Sequence, residues 1–357
     1  MQVTTSGNQG SSIRQRVTLT LVPLIAVILT VTTIFRNELL DALGWLKRPV
    51  DSKSDSCPSG YFRLEGMKDC MPWLSCEMIQ SEVAVIEPIG QGAVKQVFLG
   101  HWKGNKVVLS RLAASKFSDD FFHGLEMLKG LQSAHVVKLL GFCDEDPTIL
   151  TEYHPFGSLA NVDSVLEQKE QGDFNTWEVR FQLAREYTRF LHYLHNSPLG
   201  PRVMCDSNDL IKTLSQYLLT TDLHVLANDL DALPLVNQSA GILVKCGHRQ
   251  LQGDFVAPEQ LWPFGNTVPF SDHLMPPYDE KTDIWKVPDV TDFLLGQVEG
   301  SDVVRLHLFQ LHQDCKRHKP QLRPSMLTVV QTYKAVYNSL TQESELFGIR
   351  TEMLHEL

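Results

Sequence analysis

The chain has 357 residues, 43% of them hydrophobic, and its 32 basic against 42 acidic side chains give a net charge of −10. That balance argues against nucleic acid as the main partner, since no Lys/Arg cluster in the body of the chain supplies the positive field that phosphate backbones require. The length suits one two-lobed domain with about 80 residues to spare at the front, and no internal repeat or low-complexity tract is evident.

In chain order, Val17 to Phe35 carries no charge and is mostly aliphatic apart from its threonines and Pro23. As a helix these residues would span about 28 Å, close to the ~30 Å of a bilayer core. Arg14 and Arg16 precede the run, while Glu38 and Asp41 offset Arg36 beyond it. The positive-inside rule then predicts a type II signal anchor at 17–35, with a short cytoplasmic tail at 1–16 and the rest luminal; the Lys47-Arg48 pair pulls the other way. A cleaved signal peptide is the rival reading, but no small-x-small site succeeds the apolar run.

Residues 36–80 read as a luminal stem, loose around Pro49-Val-Asp-Ser-Lys-Ser-Asp-Ser56 and crowded with Cys57, Cys70 and Cys76. Four further cysteines, Cys143, Cys205, Cys246 and Cys315, are scattered beyond. An oxidising compartment predicts a bridge among the three stem cysteines, although spacing does not set connectivity, and an odd total leaves one thiol free or paired between chains. Stem spacings of 13 and 6 fit no compact zinc pattern. Asn237-Gln-Ser239 is a glycosylation sequon.

Gly90-Gln-Gly-Ala-Val-Lys-Gln-Val97 reads as a glycine-rich phosphate loop, and Val107-Val-Leu-Ser110 as the strand after it. A lone G-x-G is weak evidence, so the case rests on the order and spacing of the motifs beyond it. Phe122, Leu125, Leu128 and Leu131 recur at helical spacing around Glu126. Then come His135-Val-Val-Lys-Leu-Leu-Gly141, Thr151-Glu-Tyr153, a helix ending at Tyr193-Leu-His195, Met204-Cys-Asp206, Asn228-Asp-Leu-Asp231, Ala257-Pro-Glu259, Asp283-Ile-Trp285 and Arg323-Pro-Ser325.

This ordered set, across roughly residues 81 to 345, resembles the protein kinases. It implies an α+β, two-lobed protein-kinase-like fold: an N-lobe at 81–150 with a small antiparallel β-sheet and helix αC from about Phe117 to Leu131, then the hinge and a mainly helical C-lobe at 151–345, and a tail at 346–357. The luminal lead, the Met-Cys-Asp loop and the Asp-Leu-Asp are most similar to the secretory-pathway glycan kinases.

The resemblance implies ATP with Mg²⁺ (or Mn²⁺) as cofactors, and it assigns the roles. Asp206 is the catalytic base. Asp229 binds the metal, and Gln216 stands in for a missing loop asparagine, position 211 being Ile. Gly90 and Gly92 form the phosphate turn, while Thr151, Glu152 and Tyr153 are gatekeeper and hinge. Ser110 occupies the position of the usual ATP lysine, so Lys95, within the glycine loop, is expected to supply that charge with Glu126 as its partner. Arg111 is disfavoured, because adjacent strand residues face opposite sides. Asp231 is either a further carboxylate near the metal or an exposed turn acid. Glu259 pairs with Arg323, and Asp283 is structural.

Cys205 replaces the arginine that docks a phosphorylated activation loop, and Ser239 is the one hydroxyl between Asp229 and Glu259, so switching by phosphorylation is not expected. By resemblance the acceptor is the 6-hydroxyl of an O-linked mannose within a GalNAc-GlcNAc-mannose glycan on the glycoprotein α-dystroglycan, in the endoplasmic reticulum membrane. Asp206, Asn208 and Asp209 offer groups for its sugar hydroxyls. Two rivals stand beside this: a pseudokinase scaffold, favoured by Ser110, Cys205 and the missing asparagine, and a cytosol-facing protein kinase.

Overall fold

The computed structural model describes residues 57–247 and 249–355, with residues 343–355 given as backbone alone. The expected tail and anchor at 1–35, and the stem before Cys57, lie outside the described residues. No helix among the described residues is long and apolar enough to cross a membrane.

The first elements are two short antiparallel strands, β1 (Tyr61–Phe62) and β2 (Met71–Pro72), and helix α1 (Cys76–Glu82), whose N-cap is Ser75. Five antiparallel strands come next: β3 (Ala84–Gln91), β4 (Lys95–Trp102), β5 (Asn105–Leu112), β6 (Leu139–Cys143) and β7 (Thr148–Glu152), arranged β3-β4-β5-β7-β6. The β4–β5 turn is only Lys103-Gly104, both at positive φ (45° and 87°), and such a two-residue turn matches the right-handed twist of its flanking strands.

Strand alternation divides β5 between two surfaces. Val107 and Leu109 are buried on the back of the sheet with Phe62, Leu74, Ile79 and Trp102, whereas Val108 and Ser110 face the cleft. The segment read as lower stem is therefore a cap on the N-lobe. Each large apolar side chain it buries contributes about 1.5–3 kcal/mol. Gly141 permits the contact: a Cβ there would fall 2.6 Å from the Leu74 carbonyl oxygen.

The expected stem bonding is met at Cys57 and Cys70, while the third stem cysteine bonds outside the stem. Cys76 pairs with Cys143, joining α1 to the end of β6. Cys57 and Cys70 are disulfide-bonded as well, Cys205 pairs with Cys246, and Cys315 is a buried free thiol.

Helix α2 (Ser118–Gly130) packs Phe121, Gly124, Leu125 and Leu128 inward. The C-lobe is built on α4 (Trp177–His195), preceded by the short α3 (Val162–Leu166) and followed by α5 (Leu210–Leu214), the β8 (Tyr217–Leu219) and β9 (Val225–Ala227) hairpin, α6 (Lys281–Leu295), α7 (Ser301–Cys315) and α8 (Met326–His355). Tyr187 and Phe190 of α4 meet Tyr217 edge-on, which fixes the hairpin carrying the acidic loop.

Candidate active site

A cleft of about 800 Å³ collects the chemistry-bearing residues. Its apolar slot is lined by Ile89, Val97, Val108, Ile149 and the gatekeeper Thr151, with Glu152 and Tyr153 at the hinge. The Glu152 carboxylate is tied to the Lys138 backbone N–H at 2.9 Å. In the phosphate turn, Gly92 N–H donates to the Lys95 carbonyl at 2.8 Å, so the chain reverses directly in front of Lys95.

Lys95 lies two residues before Val97 on β4 and shares its cleft-facing side. Its Nζ reaches Asp229 Oδ1 at 2.6 Å and Asp231 Oδ2 at 3.3 Å, and the side chain is 14% exposed. Ser110 lines the same cleft, while Arg111 stacks its guanidinium 5.4 Å from the Phe98 ring. Burial alone would lower the Lys95 pKa, but Asp229 and Asp231 raise it, so it is held as a cation.

Glu126 is not its partner, which corrects the expected pairing. Glu126 is 65% exposed and accepts from Lys129 at 3.0 Å. It comes one position after the inward-facing Leu125, about 100° around the helix, and so leaves the cleft. What α2 offers the site is Gly124, where a Cβ would lie 3.2 Å from that of Asp231.

Asp229 comes just after β9, where the N–H groups of Asn228 and Asp229 both donate to the Gln216 carbonyl at 2.8 and 3.2 Å. Burial would raise the Asp229 pKa, but the Lys95 charge and hydrogen bonds from Asp231 and Lys95 hold it well below the carboxylate range. Asp231 goes the other way: burial, then the neighbouring Asp229, push it up to about 7 despite Lys95. Two partly buried carboxylates therefore share one ammonium, and above about pH 7 they carry a surplus of negative charge that suits a divalent ion. Mg²⁺ is typically held by one or two carboxylates plus water and phosphate oxygens, and Asp229 and Asp231 supply that many.

Gln216 departs from its expected role as the second metal ligand. Its side chain is buried behind the loop, where Nε2 donates to the Lys212 carbonyl at 2.9 Å and Ser215 Oγ at 3.2 Å, and it does not line the cleft. Asn228 and Asp231 do.

The catalytic loop hangs from Asp283, whose Oδ2 takes a 3.0 Å contact from His195 Nε2 and accepts from the Met204 N–H at 3.2 Å. Asp206 lines the cleft and pairs with Lys212 Nζ at 2.6 Å. Asn208 also lines it. Asp209 does not, contrary to its expected place against the substrate; its Oδ1 caps α5 by accepting from the Lys212 N–H at 2.7 Å.

The Cys205–Cys246 disulfide, whose two residues line the cleft, ties the catalytic loop to the segment bearing Arg249 and Leu251, which line it as well. A covalent bond thus stands where an arginine–phosphate contact is usual. Further on, Arg323 grips Glu259 through two hydrogen bonds of 2.6 and 2.7 Å. The sequon residue Asn237 is exposed, with Oδ1 accepting from Ser239 Oγ at 2.7 Å and the Ala240 N–H at 3.1 Å.

No local pattern in the sequence marks Lys212 or Cys246 as part of the site. Lys212 comes one residue after the empty asparagine position, and that adjacency is the one signal pointing to it.

The family model for protein tyrosine and serine/threonine kinases matches residues 83–268. A protein named "Protein O-mannose kinase" from Macaca fascicularis is 60% identical over 284 residues, covering 80% of this chain and 81% of that one. Proteins of the same name from Gallus gallus and Xenopus laevis are 59% and 54% identical, each covering 85% of this chain and 86% of their own. With a cleft that assembles a cation, two neighbouring acids and a loop aspartate, the chain is an ATP-dependent phosphotransferase of the protein-kinase fold and belongs to the protein O-mannose kinase family.

Proposed function

We propose that this kinase transfers the γ-phosphate of ATP to the 6-hydroxyl of an O-linked mannose, in a GalNAc-GlcNAc-mannose glycan carried by α-dystroglycan. It works in the lumen of the endoplasmic reticulum, anchored through residues 17–35. What carries the acceptor assignment is the identity of about 60% with proteins named for O-mannose. The luminal address draws support from six disulfide-bonded cysteines, a number that reducing compartments do not sustain. The exposed Asn237 fits the same address.

The cleft performs the reaction by positioning and charge neutralisation. The adenine enters the slot bounded by Ile89, Val97, Val108 and Thr151, and Lys95 faces the phosphates from the glycine turn. Asp229 and Asp231 would hold Mg²⁺ or Mn²⁺, which when bound neutralises phosphate charge. Asp206 accepts the hydroxyl proton as the sugar oxygen attacks phosphorus.

Acceptor competition tests the reading. The full-length protein with ATP and Mg²⁺ should phosphorylate an O-mannosyl trisaccharide, should fail on its 6-deoxymannose analogue, and should leave serine peptides unmodified. Transfer to the deoxy analogue or to the peptides would refute the 6-hydroxyl assignment.

A further inference from the structure

Lys95 is one of three Lys or Arg side chains among the described residues that line the cleft, with Lys212 and Arg249. Two carboxylates already hold it, and a cation beside the acceptor would act directly where charge develops on the transferring phosphoryl group. Arg249 lies on the segment that the Cys205–Cys246 bridge ties to the catalytic loop. Lys212 lies beside the base itself, 2.6 Å from Asp206 Oδ2. That contact leaves Asp206 Oδ1 without a hydrogen-bond partner among the described residues.

The backbone of Lys212 is fixed on both sides. Its N–H donates to Asp209 Oδ1 at 2.7 Å, and its carbonyl accepts from Gln216 Nε2 at 2.9 Å. Two side chains expected to touch substrate or metal are thus spent on aiming one lysine. The residue before it, Ile211, is 57% exposed and supplies no polar group where a loop asparagine is usual. The Lys212–Asp206 pair is itself 40% exposed on each side, and exposed pairs contribute little to stability, so folding does not account for the arrangement.

We propose that Lys212 is a catalytic residue, its ammonium bridging Asp206 and the transferring phosphoryl group. In the step it serves, the acceptor O–H bond breaks and its proton passes to Asp206. The sugar O–P bond forms, and the bond from the γ-phosphorus to the β-bridging oxygen breaks with its electron pair leaving on ADP. Lys212 supplies charge only and takes no part in the bond changes. It also orients Asp206 by holding Oδ2, which leaves Oδ1 toward the hydroxyl.

Steady-state kinetics of the full-length chain, with ATP-Mg²⁺ and an O-mannosyl trisaccharide, test this inference, which rests on the phosphotransferase reading. Lys212→Met should lower kcat about a hundredfold, the order lost with a transition-state charge donor, while KM for ATP changes less than about threefold because Lys95 and the slot still bind nucleotide. Lys212→Arg should recover part of kcat. Lys212→Cys, inactive as made, should regain turnover after aminoethylation of the thiol. A purely structural lysine would give none of this split, and Lys212→Met turning over within about threefold of wild type would overturn the proposal. Wild type runs in the same series: if it fails to phosphorylate the glycan, the acceptor assignment fails, and ATP hydrolysis becomes the readout on which the same variants decide for or against Lys212.

Discussion

Lys95 Nζ meets Asp229 Oδ1 at 2.6 Å across 134 positions of sequence, binding the glycine turn of one lobe to the acidic loop of the other. In most kinases the lysine of the strand after the turn performs the equivalent task together with a glutamate of αC. Here β4 carries it instead, and an acid pair replaces the glutamate.

That rearrangement makes Glu126 dispensable. Its carboxylate is exposed and tied only to Lys129 among the described residues, so Glu126→Ala should keep kcat/KM within about twofold of wild type, surface changes usually costing little. A loss above tenfold in steady-state assays would mean that Glu126 reaches the site during turnover.

Separation along the chain decides which parts of the site are legible in the sequence. Asp206, Asp229, Glu259 and Arg323 sit in short motifs whose order survives in a linear reading; the structure brings Asp206 and Asp229 to the cleft and pairs Arg323 with Glu259. Lys95 is readable because it stands in the glycine loop while Ser110 occupies the usual lysine position. Glu126 is not, although its helix is: the inward set of Phe121, Gly124, Leu125 and Leu128 turns position 126 away. Asp231 stays ambiguous and Lys212 unmarked because their partners lie on other elements. The Cys76–Cys143 and Cys205–Cys246 bridges, separated by 67 and 41 residues, depend on topology that spacing does not encode.

Asp231 predicts a pH dependence. Its folded pKa near 7 stands above the unfolded carboxylate value, so between the two the folded state binds the extra proton. Its contribution to stability is complete below the unfolded value and is lost as pH rises through about 7. Asp229, held low by Lys95, contributes in the opposite sense, its share lost only as pH falls below the ordinary carboxylate range. Metal-free wild type should therefore lose stability between about pH 4 and 7 relative to Asp231→Asn, as monitored by denaturant unfolding. Parallel pH profiles for the two would contradict the assignment. Mg²⁺ affinity should climb over the same window in wild type alone.

The Cys205–Cys246 bridge closes a loop of 41 residues. Chain-entropy reasoning assigns such a loop about 4 kcal/mol, so the Cys205→Ser/Cys246→Ser variant should unfold that much more readily. Because Arg249 and Leu251 ride on the tethered segment, its acceptor KM should also rise, by about fivefold as positioning is lost. An unchanged KM would confine the bridge to stability.

Arg323 is fully buried on its side chain and grips Glu259 bidentately. Arg323→Ala strands that carboxylate, which should cost about 3–5 kcal/mol. Glu259→Gln/Arg323→Met should cost less than the single change; a double-mutant cycle checks this, and equal losses would deny the coupling.

The relocated lysine is tested most directly by phosphate transfer from ATP-Mg²⁺ to an O-mannosyl trisaccharide, comparing wild type, Lys95→Ala and Lys95→Ala/Ser110→Lys at matched fold stability. Wild type should transfer, Lys95→Ala should fall by about a hundredfold or more in kcat/KM, and lysine restored at position 110 should recover part of the loss, since Ser110 lines the same cleft. Lys95→Ala turning over like wild type would contradict the account, because the phosphates would then draw their charge from elsewhere.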